Sequence, residues 1–415
     1  MQRFLFKLKR FIFTLIFLCT ILSFLVAKDY TIVHASDIHF LSHRIAEVDE
    51  HFMKVIQNAD GKVTHLTPEL TSAFVYDMLK LKPDAIILSG DLTLNGALES
   101  HEDLIKTLKP LVKANIPVLV IPGNHDCDGS AYVFKDNETY EIDSITSSDF
   151  LKLYKDFGYS NTILDNHSLS YFYKLSDKLW ILMLDVNANA TFYRVKDESL
   201  VWLEENLKKA KKEGALVISS THQPLTIHNK RFTFGYQVSN SNEVLPLLKK
   251  YGVKLNLSGH LHLQHITKED SFVDIAASSL VVSPNQYGII KIKDNKLISY
   301  ETKSVDVSAW AKSNNINSSE LLNFSSYSES FFDNTTINKL KGKVESIKGL
   351  SSSEVQLALN YAAKLNREYF AGHVKANKND AGWKLWEEKL SNVSFYSYLY
   401  SIVNENKEDN TRLIF

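Results

Sequence analysis

Five short apolar runs in this chain each break into Asp, Asn or His, and no other feature limits its fold as much. Residues 31–35 run into Asp37-Ile38-His39, and residues 85–88 into Gly90-Asp91. Residues 117–121 run into Gly123-Asn124-His125-Asp126, 215–220 into Thr221-His222, and 254–258 into Gly259-His260-Leu261-His262. A short β-branched run closed by a Gly or Pro break reads as a buried strand. The segments at 69–80, 99–113, 198–212 and 243–251 read as helices; Leu70, Phe74 and Met78 show the spacing. Further runs at 169–175, 179–184, 272–277, 287–293 and 296–302 read as antiparallel strands, the last two joined at Asp294-Asn295. Such alternation predicts a two-sheet α/β sandwich with helices outside. In an open α/β sheet the carboxyl ends of the strands share one edge, so five clusters scattered from Asp37 to His262 are expected to meet.

The residue types in those clusters restrict the chemistry. Imidazole, carboxylate and amide oxygen suit divalent ions such as Mn, Fe or Zn, and the lack of thiolate argues against a structural zinc cage. Asp37/His39 and His260/His262 are i, i+2 pairs, which extended backbone would point the same way. Seven candidate ligands (Asp37, His39, Asp91, Asn124, His222, His260 and His262) are too many for one ion and suit two ions sharing a bridge. Asp91 is the natural bridge, because a carboxylate offers two oxygens. Two ions activate a water and clamp a phosphoryl oxygen during in-line displacement. The departing alkoxide still needs a proton, and His125, beside the ligands but not one of them, fits that task with Asp126 orienting its ring.

The blocks D-x-H, G-D, G-N-H-D, H and G-H-x-H stand complete and in order, and in this the chain resembles the calcineurin-like metallophosphoesterase superfamily. The resemblance covers residues 29–302 and is nearest to the bacterial class III cyclic-nucleotide phosphodiesterase-like branch. It implies a four-layer α/β/β/α metallophosphoesterase sandwich with a C-terminal helical appendage. It also implies one metal held by Asp37, His39, Asp91 and His262 and a second held by Asp91, Asn124, His222 and His260. His125 would be the proton donor and Asp126 its support. The implied activity is hydrolysis of phosphoric esters, foremost phosphodiesters such as cyclic nucleotides, by a hydroxide activated between two metals. A phosphomonoesterase or nucleotidase, or a sphingomyelinase-like phospholipase, is the alternative within enzymes; a surface-bound scaffold stabilised by metal is the alternative outside them.

The rest of the chain sets the frame. Acidic and basic residues balance at 48 against 47, so no global basic surface calls for a nucleic-acid polymer, and the expected partner is a small phosphate ester. Residues 1–28 place Arg3, Lys7, Lys9 and Arg10 before an uncharged apolar run from Phe11 to Ala27. That is the pattern of a signal peptide or signal anchor, which would export the remainder, tethered to the membrane or released. Cys127 is the one cysteine outside that run, so no disulfide within the body is expected. Residues 29–303 form the expected catalytic domain and 304–415 a mainly helical C-terminal domain, with helices read at 336–347, 353–370 and 393–403. Two segments are candidate rims of the site: the one carrying His228, Lys230, Arg231 and Tyr236, whose cationic and aromatic side chains suit a phosphate ester, and residues 127–148. Nothing in the sequence specifies an oligomeric state.

Overall fold

The computed structural model describes residues 28–415 apart from 233, 406 and 408. The expected signal or anchor segment therefore lies outside the described residues, and among those no helix is long and apolar enough to cross a membrane.

The chain begins with β1 (Tyr30–Ala35), α1 (Glu50–Gln57), α2 (Thr67–Leu81), β2 (Ala85–Leu88), α3 (Leu98–Lys113) and β3 (Val118–Val120). A hairpin of β4 (Ser130–Lys135) and β5 (Glu138–Asp143), α4 (Ser147–Leu153), β6 (Ile163–Leu164), β7 (Tyr171–Ser176) and β8 (Leu179–Met183) follow. Next come α5 (Asp197–Glu213), β9 (Leu216–Ser220), α6 (Ser241–Lys250), β10 (Leu255–Ser258), β11 (His265–Glu269), β12 (Phe272–Ala276), β13 (Gln286–Lys293) and β14 (Lys296–Ser304). The tail is α7 (Val307–Ser313), α8 (Ser319–Leu322), α9 (Phe324–Glu345), α10 (Ser352–Phe370), α11 (Ala381–Lys389), α12 (Tyr396–Val403) and a last strand, β15 (Arg412–Ile414).

Two sheets result. One has the order β15-β14-β13-β1-β2-β3 and the other β11-β12-β10-β9-β8-β7-β6. β1, β2 and β3 run parallel, as do β8, β9, β10 and β12. The five strands that end in candidate ligands (β1, β2 and β3 in the first sheet, β9 and β10 in the second) run parallel within each sheet, β3 as an edge strand, which brings the carboxyl ends of each set to one edge of its sheet.

Strand periodicity stacks the layers. Along β8, Leu179, Ile181 and Met183 face the core between the sheets. Trp180 and Leu182 face the other way, against Leu203, Leu207 and Ala210 of α5 and Val244 and Leu248 of α6. A strand buried on both faces reads as a continuous apolar run, as this one does. On the other side α2 and α3 cover the first sheet through Phe74, Met78, Leu104 and Leu108. The order helix, sheet, sheet, helix is the expected four-layer sandwich.

The tail is helical, as its sequence indicates, but it does not hang free. Val307, Ala311, Leu321 and Phe324 enter the main core. Trp383, Trp386 and Leu399 form a second core that includes Leu261, Leu263 and Ala276 from the sandwich. β15 then pairs antiparallel with β14, so the end of the chain becomes an edge strand of the first sheet. Residues 29–303 and 304–415 share both cores rather than meeting at a linker.

Candidate metal centre

The backbone past each strand end does the positioning. Asp37, His39, Asp91, His260 and His262 all adopt left-handed φ, between 44° and 66°. This conformation costs an L-residue about 1–2 kcal/mol, and it persists where surrounding structure dictates it. Here the turns interlock: Asp37 N donates to Gly90 O and His39 N to Asp91 O, at 3.1 and 2.9 Å. The expectation that extended backbone aligns the i, i+2 pairs is thus corrected. The chain has already left the strand, and alternating left-handed residues curl each ligand back over the sheet edge. Two glycines permit the close approach. A Cβ on Gly123 would fall on the backbone nitrogen and Oδ1 of Asp91, and one on Gly259 would fall on Ser36 Oγ and Asp37 Oδ2.

Two ligand groups result, one of Asp37, His39, Asp91 and His262, the other of Asp91, His222 and His260, each with its donor atoms within 4.8 Å of one another. Asp91 belongs to both. In the first group His39 Nε2 lies 3.0 Å from His262 Nε2, and His262 Nε2 3.2 Å from Asp37 Oδ1. In the second, His222 Nε2 lies 3.3 Å from Asp91 Oδ1 and 3.2 Å from Asn124 Oδ1. Asp37, His39, Asp91 and His222 are buried, while Asn124 and His125 are exposed at the mouth.

These donors fit divalent cations. Asp91 Oδ2 is buried with no hydrogen-bond partner. His222 Nδ1–H donates to Ser89 O at 2.8 Å, which turns the Nε2 lone pair toward the oxygens of Asp91 and Asn124. Asn124 Oδ1 in turn accepts from Gln223 Nε2 at 3.3 Å. His260 Nε2–H donates to Gly235 O at 2.9 Å and so keeps Nδ1 as its lone-pair nitrogen. Acceptors converging in this way require a positive centre. Without a cation a proton serves: burial opposes charge on His222, yet Asp91 beside it raises the imidazole to about 9. The Asp91 carboxylate is held well below its usual range, against the cost of burial, chiefly by His222 and His125. A metal replaces that proton.

The expected roles of Asp126 and His228 change. Asp126 does not touch the His125 ring. Its carboxylate is fully buried and accepts from Leu92 N, Thr93 N, Thr93 Oγ1 and Gly123 N at 2.8–3.0 Å. It ties the β2 and β3 turns together, and burial, then Asp91, push it up to about 6. His125 is instead placed by its backbone N, which donates to Asp91 Oδ1 at 2.9 Å, and by an edge-on ring packing against His39 at 5.2 Å. His228 is not on the rim: it is buried, with Nδ1 3.1 Å from His265 Nδ1 and Nε2 3.9 Å from Asp274 Oδ2. Asp274 accepts from Leu225 N and Thr226 N, which draws that stretch inward. Lys230 is exposed, while Arg231 and Tyr236 reach the rim, where Tyr236 packs 5.6 Å from the His260 ring. Residues 127–148, the other candidate rim, hold the β4–β5 hairpin.

Sequence reasoning missed Gln223, which bridges Asn124 to Asn187 (Oε1 to Nδ2, 2.9 Å) and reaches His260 Nδ1 at 3.5 Å. Its position directly after His222 was the available signal. It also missed Asp60, whose Oδ2 lies 3.8 Å from His262 Nδ1 and 3.1 Å from the buried Lys62 Nζ. No strand end marks those two.

Comparison with known proteins gives the same outline. A family model described as calcineurin-like phosphoesterase matches residues 30–264, more than half of the chain. A second, described as the C-terminal domain of cyclic nucleotide phosphodiesterase, matches residues 306–409. The chain is 28% identical over 203 residues to a probable glycerophosphodiester phosphodiesterase of Arcobacter nitrofigilis, covering 48% of this chain and 64% of that protein, under two thirds of its length. It is 27% identical over 240 residues to a 3′,5′-cyclic-nucleotide phosphodiesterase of Nostoc, covering 56% of this chain and 71% of that one. Among solved structures, a dimetal phosphatase from Danio rerio aligns over 66% of this chain and 95% of its own, at 11% identity and a TM-score of 0.49. The ordered ligand blocks, their convergence on Asp91 and the match over residues 30–264 place this chain in the calcineurin-like phosphoesterase family.

Proposed function

We propose that this protein hydrolyses phosphodiesters, cyclic nucleotides or related small esters, using two divalent cations (Mn, Fe or Zn) held on either side of Asp91. The observation that carries this reading is the membership of Asp91 in both ligand groups, with one of its oxygens buried and unpartnered. Asp37, His39, Asp91 and His262 would hold one ion, and Asp91, Asn124, His222 and His260 the other. When bound, such a pair supplies Lewis-acid charge to phosphoryl oxygens and acidifies a water.

The chain's own groups do the rest. The Ser89 carbonyl fixes the His222 tautomer. Gln223 and Asn187 hold the Asn124 amide with its oxygen inward. Exposed at the mouth and hydrogen-bonded to the bridging carboxylate only through its backbone, His125 keeps its ring free to protonate the leaving alkoxide oxygen. The relatives named for cyclic-nucleotide and glycerophosphodiester substrates favour a diester over the monoesterase, phospholipase or scaffold alternatives.

The test uses leaving groups of different basicity. A general acid contributes about 10²–10⁴-fold where the leaving oxygen is basic, as in a ribose alkoxide, and far less for a nitrophenolate. In Mn-loaded protein His125→Ala should therefore abolish most cyclic-nucleotide turnover, spare much of the turnover of bis(p-nitrophenyl) phosphate, and leave the metal content unchanged. Equal losses on both substrates would overturn the role of His125. Inactivity of the metal-loaded wild type on every diester would overturn the reading itself. Export with the catalytic domain outside the cytoplasm is proposed with it, on the N-terminal charge pattern alone, and cell fractionation checks it.

A further inference from the structure

A groove of about 420 Å³ opens beside the ligand histidines, and the expected catalytic part and the tail build it together. One wall is a face of α9, where Phe332, Thr336, Lys339 and Lys343 recur at helical spacing. The facing wall is Arg231, Phe232 and Tyr236, and Phe370, Phe395 and Tyr398 add further aromatic lining. The groove begins at the metal centre. Asp60, in its lining, stands 3.8 Å from His262 Nδ1, and Tyr236 packs against His260. Phe332 is pinned there too, because its ring lies against Gly61. At a rise of 1.5 Å per residue, the α9 face from Phe332 to Lys343 carries the groove about 16 Å away from that end.

The lining is aromatic and cationic at once. Arg231, Lys339 and Lys343 face a single carboxylate, Asp60, which is already paired with Lys62. Aromatic faces stack nucleobases, and guanidinium and ammonium groups bind phosphate. A cyclic mononucleotide has one phosphate, which the metal centre would take, leaving three cations unused. A glycerophosphodiester has no ring for the aromatic walls. A short oligonucleotide with a terminal phosphate uses both.

We propose that this groove is a remote subsite for a dinucleotide-type phosphodiester: the base beyond the scissile phosphate rests on the aromatic wall, and a second phosphate lies among Arg231, Lys339 and Lys343. The proposal rests on the phosphodiesterase reading above and adds its substrate class. It assigns the tail a direct part in selectivity.

Two probes with the same scissile bond test it. The dinucleotide adenylyl-(3′→5′)-adenosine and its 5′-phosphorylated form differ only in the terminal phosphate. With Mn-loaded protein kcat/KM should favour the phosphorylated form roughly tenfold, as one strong charge-assisted contact allows. Lys339 and Lys343 are exposed, so Lys339→Gln with Lys343→Gln keeps the fold, which an unchanged thermal midpoint verifies. The double change should collapse the preference to near unity, through KM. Arg231→Gln, also exposed, should weaken it in the same direction. No preference in the wild type, or a preference that survives the double change, overturns the subsite. Bis(p-nitrophenyl) phosphate reports the metal centre separately. If it is cleaved while the two dinucleotides are cleaved alike, the groove proposal alone fails; if nothing is cleaved, the phosphodiesterase reading fails.

Discussion

His125 and Asp126 are adjacent in the chain and opposite in duty. His125 is exposed, with its ring free of polar partners among the described side chains, while Asp126 is sealed and takes four hydrogen bonds from the β2 and β3 turns. An Asn at 126 would turn an amide N–H₂ toward N–H donors, so Asp126→Asn should destabilise the protein by about 2–3 kcal/mol. Chemical denaturation measures this. An unaltered unfolding midpoint together with a depressed kcat would instead return Asp126 to orienting the His125 ring. The identity of both residues was legible in the sequence, and the pairing was not. Asp126 finds Leu92 and Thr93 more than thirty positions away, and a one-dimensional reading favours the neighbour it can see.

At the scale of elements, the site depends on turns more than on the strands that precede them. Strand positions followed from apolar runs, because a strand buried on both faces needs them. The left-handed turns did not follow, because Asp and His at such φ values are held there by contacts across the sheet edge and not by their own preference. Gly123 is the most exacting of these positions. A methyl there would displace Asp91, which belongs to both candidate ligand groups. Gly123→Ala should cost more than tenfold in metal affinity, as loss of a supporting contact does in metal sites, and calorimetric titration of the metal-free protein with Mn tests it. Wild-type affinity would mean that the turn has slack. The β4–β5 hairpin shows a different miss. Its Asp136-Asn137 turn has φ of 54° and 58°, and the recognised Asp294-Asn295 turn 50° and 59°. The hairpin went unread because β5 is polar and largely exposed, which left the short run Ala131–Phe134 of β4 without a recognisable partner strand.

At the scale of the whole molecule, the helical tail is part of the protein's body. It supplies β15, buries Leu261 and Leu263 next to the G-H-x-H ligands, and forms one wall of the groove. Each large apolar side chain it covers is worth about 1.5–3 kcal/mol, against a total stability of roughly 5–15 kcal/mol. Removing residues 304–415 should therefore abolish cooperative unfolding at the wild-type temperature and leave an aggregating product, as thermal denaturation and gel filtration would report. A soluble truncation with the original midpoint would make the tail a detachable spacer after all.

The sequence by itself determined which Asp, Asn and His residues are candidate ligands, their order, the four-layer class and the helical nature of the tail. Each of these depends on local periodicity and on residue types that few other chemistries would collect. The tertiary structure alone decided which neighbour Asp126 serves, why His228 withdraws, where Gln223 and Asp60 enter, and that the tail forms a wall of a groove beside the histidines. These outcomes turn on contacts between distant segments, such as His262 with Asp60 or α9 with the Arg231–Tyr236 segment. Burial and hydrogen bonding there are settled by what the folded chain places opposite each side chain, which no single stretch of sequence contains.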